Sequence, residues 1–472
     1  MHFAHRARLT RSAPVALLAI LALALAILAP NSPAHALTGQ NSPIHDPSMI
    51  KAADGCYYAF STGFQNDPNN PSGAPLTYKT CDSTPANGWQ LVGPVWNTTP
   101  AWITQQLGST PPNIWAPDIN YFGGVYHLYY AASIWGTATA VMGQATASSP
   151  AGPWTDQGMV TNVNYPIDPD VVRGGDGRLY ITWGSFTGGG IYMHVLDETT
   201  GGLSTTDNNL WKLATGMEGS SIVYNGGYYY LFGSAGTCCQ ATKSTYYTVV
   251  GRATSVTGPY YDATGQNLLS GSKTVALRGA YPRVAAGGGD VYTDGSDTYL
   301  AYHYYDANNG NGAATLDIRK LTFSNGWPVL DAPLAKPNLA LEAKNSSLCL
   351  DVWFASTADQ AAVDQGNCNG GTNQSWQLTP SGSGYQIVNA NSGKCLAPQG
   401  GNTAAGTTMV QTSCATATIQ QWSVTPTLGG YTNITNAATG LCLDVWQNST
   451  ANGATTDAWY CNGGDNQQWL RD

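Results

Sequence analysis

Charge is what this 472-residue chain has least of. Lys, Arg, Asp and Glu together make up 10% of it, far below the usual quarter or so. Disordered segments and long coiled coils depend on charge, so neither describes this protein. Bases are scarcer still than acids, 19 against 28. The formal net charge of −9 offers no footprint for nucleic acid or anionic lipid. The sequence has no His-Glu-x-x-His or comparable ligand cluster, and no Gly-rich phosphate loop between a strand and a helix. A catalytic metal and a nucleotide or organic cofactor are therefore not expected.

Long apolar runs are also missing, with one exception. Arg6, Arg8 and Arg11 precede an unbroken apolar stretch from Val15 to Ala29, and Ala34-His35-Ala36 follows. Fifteen apolar residues are too few to span a bilayer, which needs about twenty. A basic start, a short apolar core and a small-x-small site read as a secretory signal peptide over residues 1–36. The mature chain, without those three arginines, carries 16 − 28 = −12. We expect it to be exported, soluble, free of membrane, and monomeric.

What is abundant suits an oxidising compartment and an all-β fold. Ten cysteines include Cys349/Cys368, Cys395/Cys414 and Cys442/Cys461, each pair 19 residues apart. The threefold repetition favours pairing within each repeat. Cys56 and Cys81 form a plausible further bridge, while adjacent Cys238 and Cys239 allow a vicinal disulfide or two thiols. There are 55 Gly, 27 Tyr and 15 Trp, a composition of short strands, tight turns and sugar-handling aromatics.

Internal repeats divide the chain. From 338 onward a unit recurs three times, ending in Gln374-Ser375-Trp376, Gln420-Gln421-Trp422 and Gln467-Gln468-Trp469, the tryptophans 46 and 47 residues apart. Asp331-Ala332-Pro333-Leu334-Ala335-Lys336-Pro337 reads as a short linker. Residues 37–334 instead alternate strand-like stretches such as Val125-Tyr126-His127-Leu128-Tyr129-Tyr130 with turns such as Gly123-Gly124 and Asn225-Gly226-Gly227. Such a length of short strands suits radial repetition, five blades of about 60 residues each. Periodicity alone leaves a β-sandwich open.

Four acids stand at the mouths of strands leading into hairpins: Asp46, Asp118, Asp168 and Glu218. Their separations are 72, 50 and 50 residues, close to one acid per blade. In a propeller the innermost strands line one axis, so such acids converge. A convergent pair of carboxyl groups, one protonated and one ionised, is what glycoside hydrolysis requires. A third acid nearby holds the donor's proton by like-charge repulsion.

The strings around these acids carry a resemblance. His45-Asp46-Pro47-Ser48, Trp115-Ala116-Pro117-Asp118-Ile119, Ile167-Asp168-Pro169-Asp170 and the stretch from Glu218-Gly219-Ser220-Ser221 to Ser234 look like the five-bladed propellers of glycoside hydrolase family 43. Gly236-Thr237-Cys238-Cys239, Val249-Val250-Gly251-Arg252 with Thr257-Gly258-Pro259-Tyr260, and Tyr302-His303-Tyr304-Tyr305-Asp306 resemble its α-1,5-L-arabinanase branch. The resemblance implies Asp46 as general base, Glu218 as general acid, and Asp168 as the group that raises and orients Glu218. It implies inversion, with about 6.5–9.5 Å between acid and base. Trp115, Asp118 and Arg283 are candidate substrate contacts. His303 matches a histidine that in arabinanase-like relatives helps hold an ion, usually calcium, near the propeller axis; no cofactor is needed for the chemistry.

The C-terminal repeats resemble the ricin-type β-trefoil of carbohydrate-binding modules of family 13. That likeness gives Asp351, Asn373 and Gln374 in repeat one, and Asp444, Trp459, Asn466 and Gln467 in repeat three, to sugar binding. Gly366 stands in repeat one where Trp459 stands in repeat three, and repeat two has Ala397 and Ile419 in place of the Asp and Asn. The expectation is a five-bladed propeller over 37–334, a β-trefoil over 338–472, and endo cleavage of plant cell-wall arabinan. An exo-arabinofuranosidase and a non-catalytic sugar-binding protein are the alternatives.

Overall fold

The computed structural model describes residues 42–472, except 65, 309–311, 335 and 337. The segment read as a signal peptide lies outside the described residues. From Ser48 to Pro333 the chain forms five four-stranded antiparallel sheets, each a meander of consecutive strands. The innermost strands are Ser48–Lys51, Trp115–Phe122, Asp170–Arg173, Glu218–Asn225 and Arg283–Asp294. These sheets are blades 1 to 5. Two-residue turns join inner to second strands: Gly123 and Gly124 have φ of +59° and +84°, Gly226 and Gly227 +56° and +91°. Such turns need left-handed backbone at both positions, which glycine adopts without a Cβ clash.

Apolar side chains pack between neighbouring blades. Ile50, Tyr58 and Phe60 of blade 1 meet Ile119, Tyr126 and Leu128 of blade 2; Met142 and Tyr129 meet Ile181 and Trp183 of blade 3. Ile191 and Met193 meet Leu231 and Val249 of blade 4, and Phe232 and Val250 meet Leu300 and Tyr302 of blade 5. Met49 and Tyr57 close the circle against Tyr299 and Ile318. Ile44 N–H also donates to Ala314 O of blade 5 at 3.0 Å. Five such cores exclude the sandwich.

At the axis the five inner strands share one local device. Asp46, Ala116, Asp168, Gly219 and Gly288 have φ of +49°, +40°, +54°, +62° and +57°. Two residues after each comes Ser48, Asp118, Asp170, Ser221 or Asp290, whose side chain accepts a backbone N–H from the adjacent blade. Ile119 N donates to Ser48 Oγ (3.1 Å), Val171 N to Asp118 Oδ2 (2.9 Å), Ile222 N to Asp170 Oδ2 (3.0 Å), Val291 N to Ser221 Oγ (3.0 Å) and Met49 N to Asp290 Oδ2 (3.1 Å). The bonds form a closed hoop through all five blades. They satisfy strand-end donors that burial would otherwise leave costly.

Thirteen strands between Asn338 and Arg471 form the second domain. Trp376, Trp422 and Trp469 are fully buried, and each indole N–H donates to a leucine carbonyl, Leu350, Leu396 and Leu443, at 2.9–3.1 Å. Disulfides join Cys349–Cys368, Cys395–Cys414 and Cys442–Cys461, as the spacing predicts, and Cys56–Cys81 and Cys238–Cys239 are also bonded. One sequence expectation needs revising. Asp331–Pro333, read as linker, completes the strand Trp327–Pro333 of blade 5; proline is tolerated there because nothing pairs beyond that edge of the sheet. Among the described residues one α-helix, Ala101–Leu107, buries Ile103; its seven residues are too few to show a helical period in the sequence.

Candidate active site

The left-handed kink at the head of an inner strand swings that residue's side chain off the pleat and over the axis. Asp46 and Asp168 occupy this position in blades 1 and 3, and Glu218 immediately precedes it in blade 4. A left-handed aspartate is uncommon and costs free energy. Glu218 pairs with Ser234, and the register then slips before Ser221, a bulge of the kind that re-aims side chains beside active sites. All three acids line one cleft of about 1070 Å³, together with His45, Thr62, Trp115, Trp135 and Tyr246. The sequence-predicted trio is thus brought together.

Asp46 is heavily partnered. Its Oδ2 receives Nδ1–H of His45 at 2.6 Å and the Thr62 hydroxyl at 2.8 Å, and Oδ1 lies 3.6 Å from His303 Nδ1. The Asp46 N–H donates to His303 Nδ1 at 3.2 Å, which puts the proton of that ring on Nε2. The two imidazoles stack at 3.9 Å. Burial alone would raise the Asp46 carboxyl; His45 beside it, then His303 and Thr62, outweigh that and bring it down to about 2. Gly288 faces this cluster because a Cβ there would lie 2.5 Å from Asp46 Oδ1 and 2.7 Å from His303 Cε1.

Glu218 is pushed the other way. Burial raises it to about 7, Asp46 adds to the rise, and a 3.0 Å hydrogen bond from the Tyr246 hydroxyl opposes it. Asp168 is held well above the ordinary carboxylate range, by burial first and then by Glu218 and Asp46. Its Oδ2 accepts the Gly219 N–H at 3.0 Å, so Asp168 fixes the backbone next to Glu218. One carboxylate stays ionised, while burial and the charge of Asp46 raise the other two. Such a split marks base and acid.

The remaining predicted residues divide. Trp115 lines the cleft, its Nε1–H donating to Asn113 Oδ1 at 3.1 Å. Asp118 belongs to the axial hoop; with Asp170 and Asp290 it forms a buried group whose carboxylate oxygens lie within 4.8 Å of one another. Arg283 is not at the cleft: it is buried against Asp317 Oδ2 at 2.6 Å and Asp472 Oδ1 at 3.5 Å, between propeller and trefoil. His303 is fully buried, and its Nε2 has no hydrogen-bond partner among the described residues. The three axial carboxylates fit a cation; the orphaned Nε2 carries the proton of its ring and is a donor, not a metal ligand. Thr62, Tyr246, Trp135 and Phe186 escape sequence reasoning because no local motif separates them from other hydroxyls and aromatics.

The model of glycosyl hydrolases family 43 matches residues 40–328. The chain belongs to that family. As a family 43 glycosyl hydrolase it is an enzyme, and its acids are read accordingly. An extracellular endo-alpha-(1->5)-L-arabinanase of Bacillus subtilis is 33% identical over 300 residues, covering 61% of this chain and 88% of that protein. An extracellular exo-alpha-(1->5)-L-arabinofuranosidase of Cellvibrio japonicus is 32% identical, covering 61% and 86%. The solved family 43 endo-arabinanase of Bacillus licheniformis superposes with a TM-score of 0.55 at 33% identity, over 61% of this chain and 98% of that one.

The ricin-type beta-trefoil lectin domain model matches 326–412 and 418–472, and the C-terminal domain is of that type. Its repeats are built unequally. In repeat three, Asn466 Nδ2 and Gln467 Nε2 donate to Asp444 Oδ2 at 2.8 and 2.7 Å. Asp444, Asn466, Trp446 and half-exposed Trp459 surround a hollow of about 670 Å³. Repeat one keeps the bonds from Asn373 and Gln374 to Asp351, at 2.7 and 2.6 Å. The register sets Gly366 opposite Cys349 where Trp459 stands opposite Cys442.

Proposed function

We propose that this protein is a secreted, inverting hydrolase of α-1,5-linked arabinan, endo-acting, with a sugar-binding trefoil. The observation that carries the reading is the opposed setting of Asp46 and Glu218 in one cleft, one ionised and one protonated near neutral pH. Asp46 takes a proton from water as the water oxygen attacks the anomeric carbon. Glu218 gives its proton to the departing glycosidic oxygen, so each product leaves with a complete hydroxyl. Asp168 orients Glu218 by holding the Gly219 N–H, and Asp46 adds its repulsion to the burial that keeps Glu218 protonated.

Relatives named for arabinan and called extracellular support the substrate and the export. Endo action is favoured by the strings that resemble endo-arabinanases and by relatives of that name. The exo reading keeps the support of the Cellvibrio relative. Calcium, if bound, would be held by the oxygens of Asp118, Asp170 and Asp290 and would supply fixed positive charge at the propeller axis, with His303 meeting it only through a water that takes the Nε2 proton. Repeat three is the principal sugar site, repeat one the weaker, and repeat two packs only.

Linear arabinan digested for the first minutes, with products separated by size, tests the reading. Mixed oligosaccharides are expected. Arabinose alone overturns endo action, and no cleavage of any arabinan overturns the substrate.

A further inference from the structure

His45 has two ring nitrogens, and the mechanism uses one. Nδ1 donates to Asp46, so Nε2 carries the lone pair. Around that lone pair stand the Tyr305 hydroxyl at 3.1 Å, Cys238 Sγ at 3.5 Å and Cys239 Sγ at 3.7 Å. Cys238 is half-buried, Cys239 is exposed, and both line the cleft. Their disulfide leaves no thiolate to bind anything.

We propose that reducing the Cys238–Cys239 disulfide creates a site for one soft divalent cation, zinc or cadmium, held by the two thiolates and His45 Nε2. The distances fit. Tetrahedral zinc with bonds of about 2.3 Å to sulfur and 2.0–2.1 Å to nitrogen separates those ligand atoms by about 3.6 Å. The two sulfur–nitrogen separations here, 3.5 and 3.7 Å, straddle that value with His45 unmoved. The sulfurs themselves must part to about 3.8 Å, which cleavage of their bond permits. A phosphine reductant with one water supplies two electrons and two protons, giving two thiols and the phosphine oxide. The cation then displaces both thiol protons. A fourth position is left for water from the cleft.

The site would act on the base. Asp46–His45–cation is a carboxylate–histidine–metal arrangement, in which the outer carboxylate is committed to orienting the ligand. Asp46 would lose basicity to the cation's charge and the cleft would lose room beside it. The bound cation therefore inhibits, and oxidation of the pair protects. This inhibition rests on the proposed role of Asp46; cation binding does not.

The full chain, oxidised or reduced with a phosphine and then desalted without oxygen, is titrated with cadmium. Cadmium–thiolate ultraviolet absorption counts sites, and arabinan hydrolysis is followed in parallel. The C238S/C239S protein, treated identically, subtracts the other four bridges; C239S serves if the double variant does not fold. Expected is one additional cadmium per reduced wild-type chain. Hydrolysis should fall by about tenfold or more, return with a chelator, and be unaffected in the oxidised form. Equal cadmium absorption in wild type and variant overturns the site. Unchanged hydrolysis at full cadmium occupancy overturns the inhibition. A protein inactive in every form overturns the arabinan reading instead, and the cadmium count still decides the site.

Discussion

Asp46 and Glu218 start from similar intrinsic acidities and end far apart, at about 2 and about 7. A base must be ionised, so activity is lost only as pH falls toward about 2. A general acid must be protonated, so activity falls as pH rises through about 7, near tenfold per unit beyond it. A pH profile of kcat/KM on linear arabinan checks both limbs. Glu218→Gln should lower kcat by about 10²–10⁴-fold and remove the alkaline limb. An aryl arabinoside, whose leaving group needs no proton, should recover most of that loss in Glu218→Gln and none of it in Asp46→Asn. At this scale the acids were legible in the sequence because each heads a strand in a short Asp-Pro or Glu-Gly string. Tyr246 and Thr62 were not, since their roles come from strands brought near by ring closure. Arg283 misled because proximity to a motif in sequence says nothing about which end of a strand faces the cleft.

Among elements, the blade repeat explains why acids recur at the heads of inner strands, 72, 50 and 50 residues apart. The regular spacing was visible in the chain; its double meaning was not. Asp46 and Asp168 occupy the kinked position and line the cleft, whereas Asp118, Asp170 and Asp290 sit two residues further and tie strands together. Asp290→Ala would orphan Met49 N–H and remove a partner of the Ser48 and Ser221 hydroxyls, bonded at 3.1, 3.0 and 3.0 Å. Each buried polar group left unpaired costs about 1–3 kcal/mol. Urea unfolding should therefore show a clear loss of stability, larger than for Asp290→Asn, which keeps an acceptor oxygen. The turn glycines made the blades readable, and the edge strand Trp327–Pro333 was hidden by its prolines.

For the whole molecule, propeller and trefoil are fastened rather than tethered. Arg319 is buried; its Nη2 meets Asp472 Oδ1 at 2.5 Å, its Nη1 donates to Arg471 O at 3.0 Å, and Nε donates to Tyr302 OH at 2.8 Å. Leu470 joins the core between blades 4 and 5. Arg319→Ala would leave Asp472, among the described residues, ion-paired with Arg283 alone, at 3.5 Å, and should cost up to about 3–5 kcal/mol, read as a lowered thermal midpoint of the intact protein. On the sugar side, Trp459→Ala should weaken retention on immobilised arabinan by about tenfold, near 1.4 kcal/mol. Gln421→Ala in repeat two should leave retention as it was. The inequality of the repeats was legible from single residues, but the fastening was not, because Arg319 and Asp472 are 153 residues apart and nothing local pairs them.

A module bolted at Arg319 and Leu470 cannot swing on a leash. Once it grips a polymer, the cutting edge stands at a constant offset from the grip, like a plane whose blade is set against its sole. Fragments shaved from a solid surface would then be narrow in length, where a loosely strung partner would scatter them.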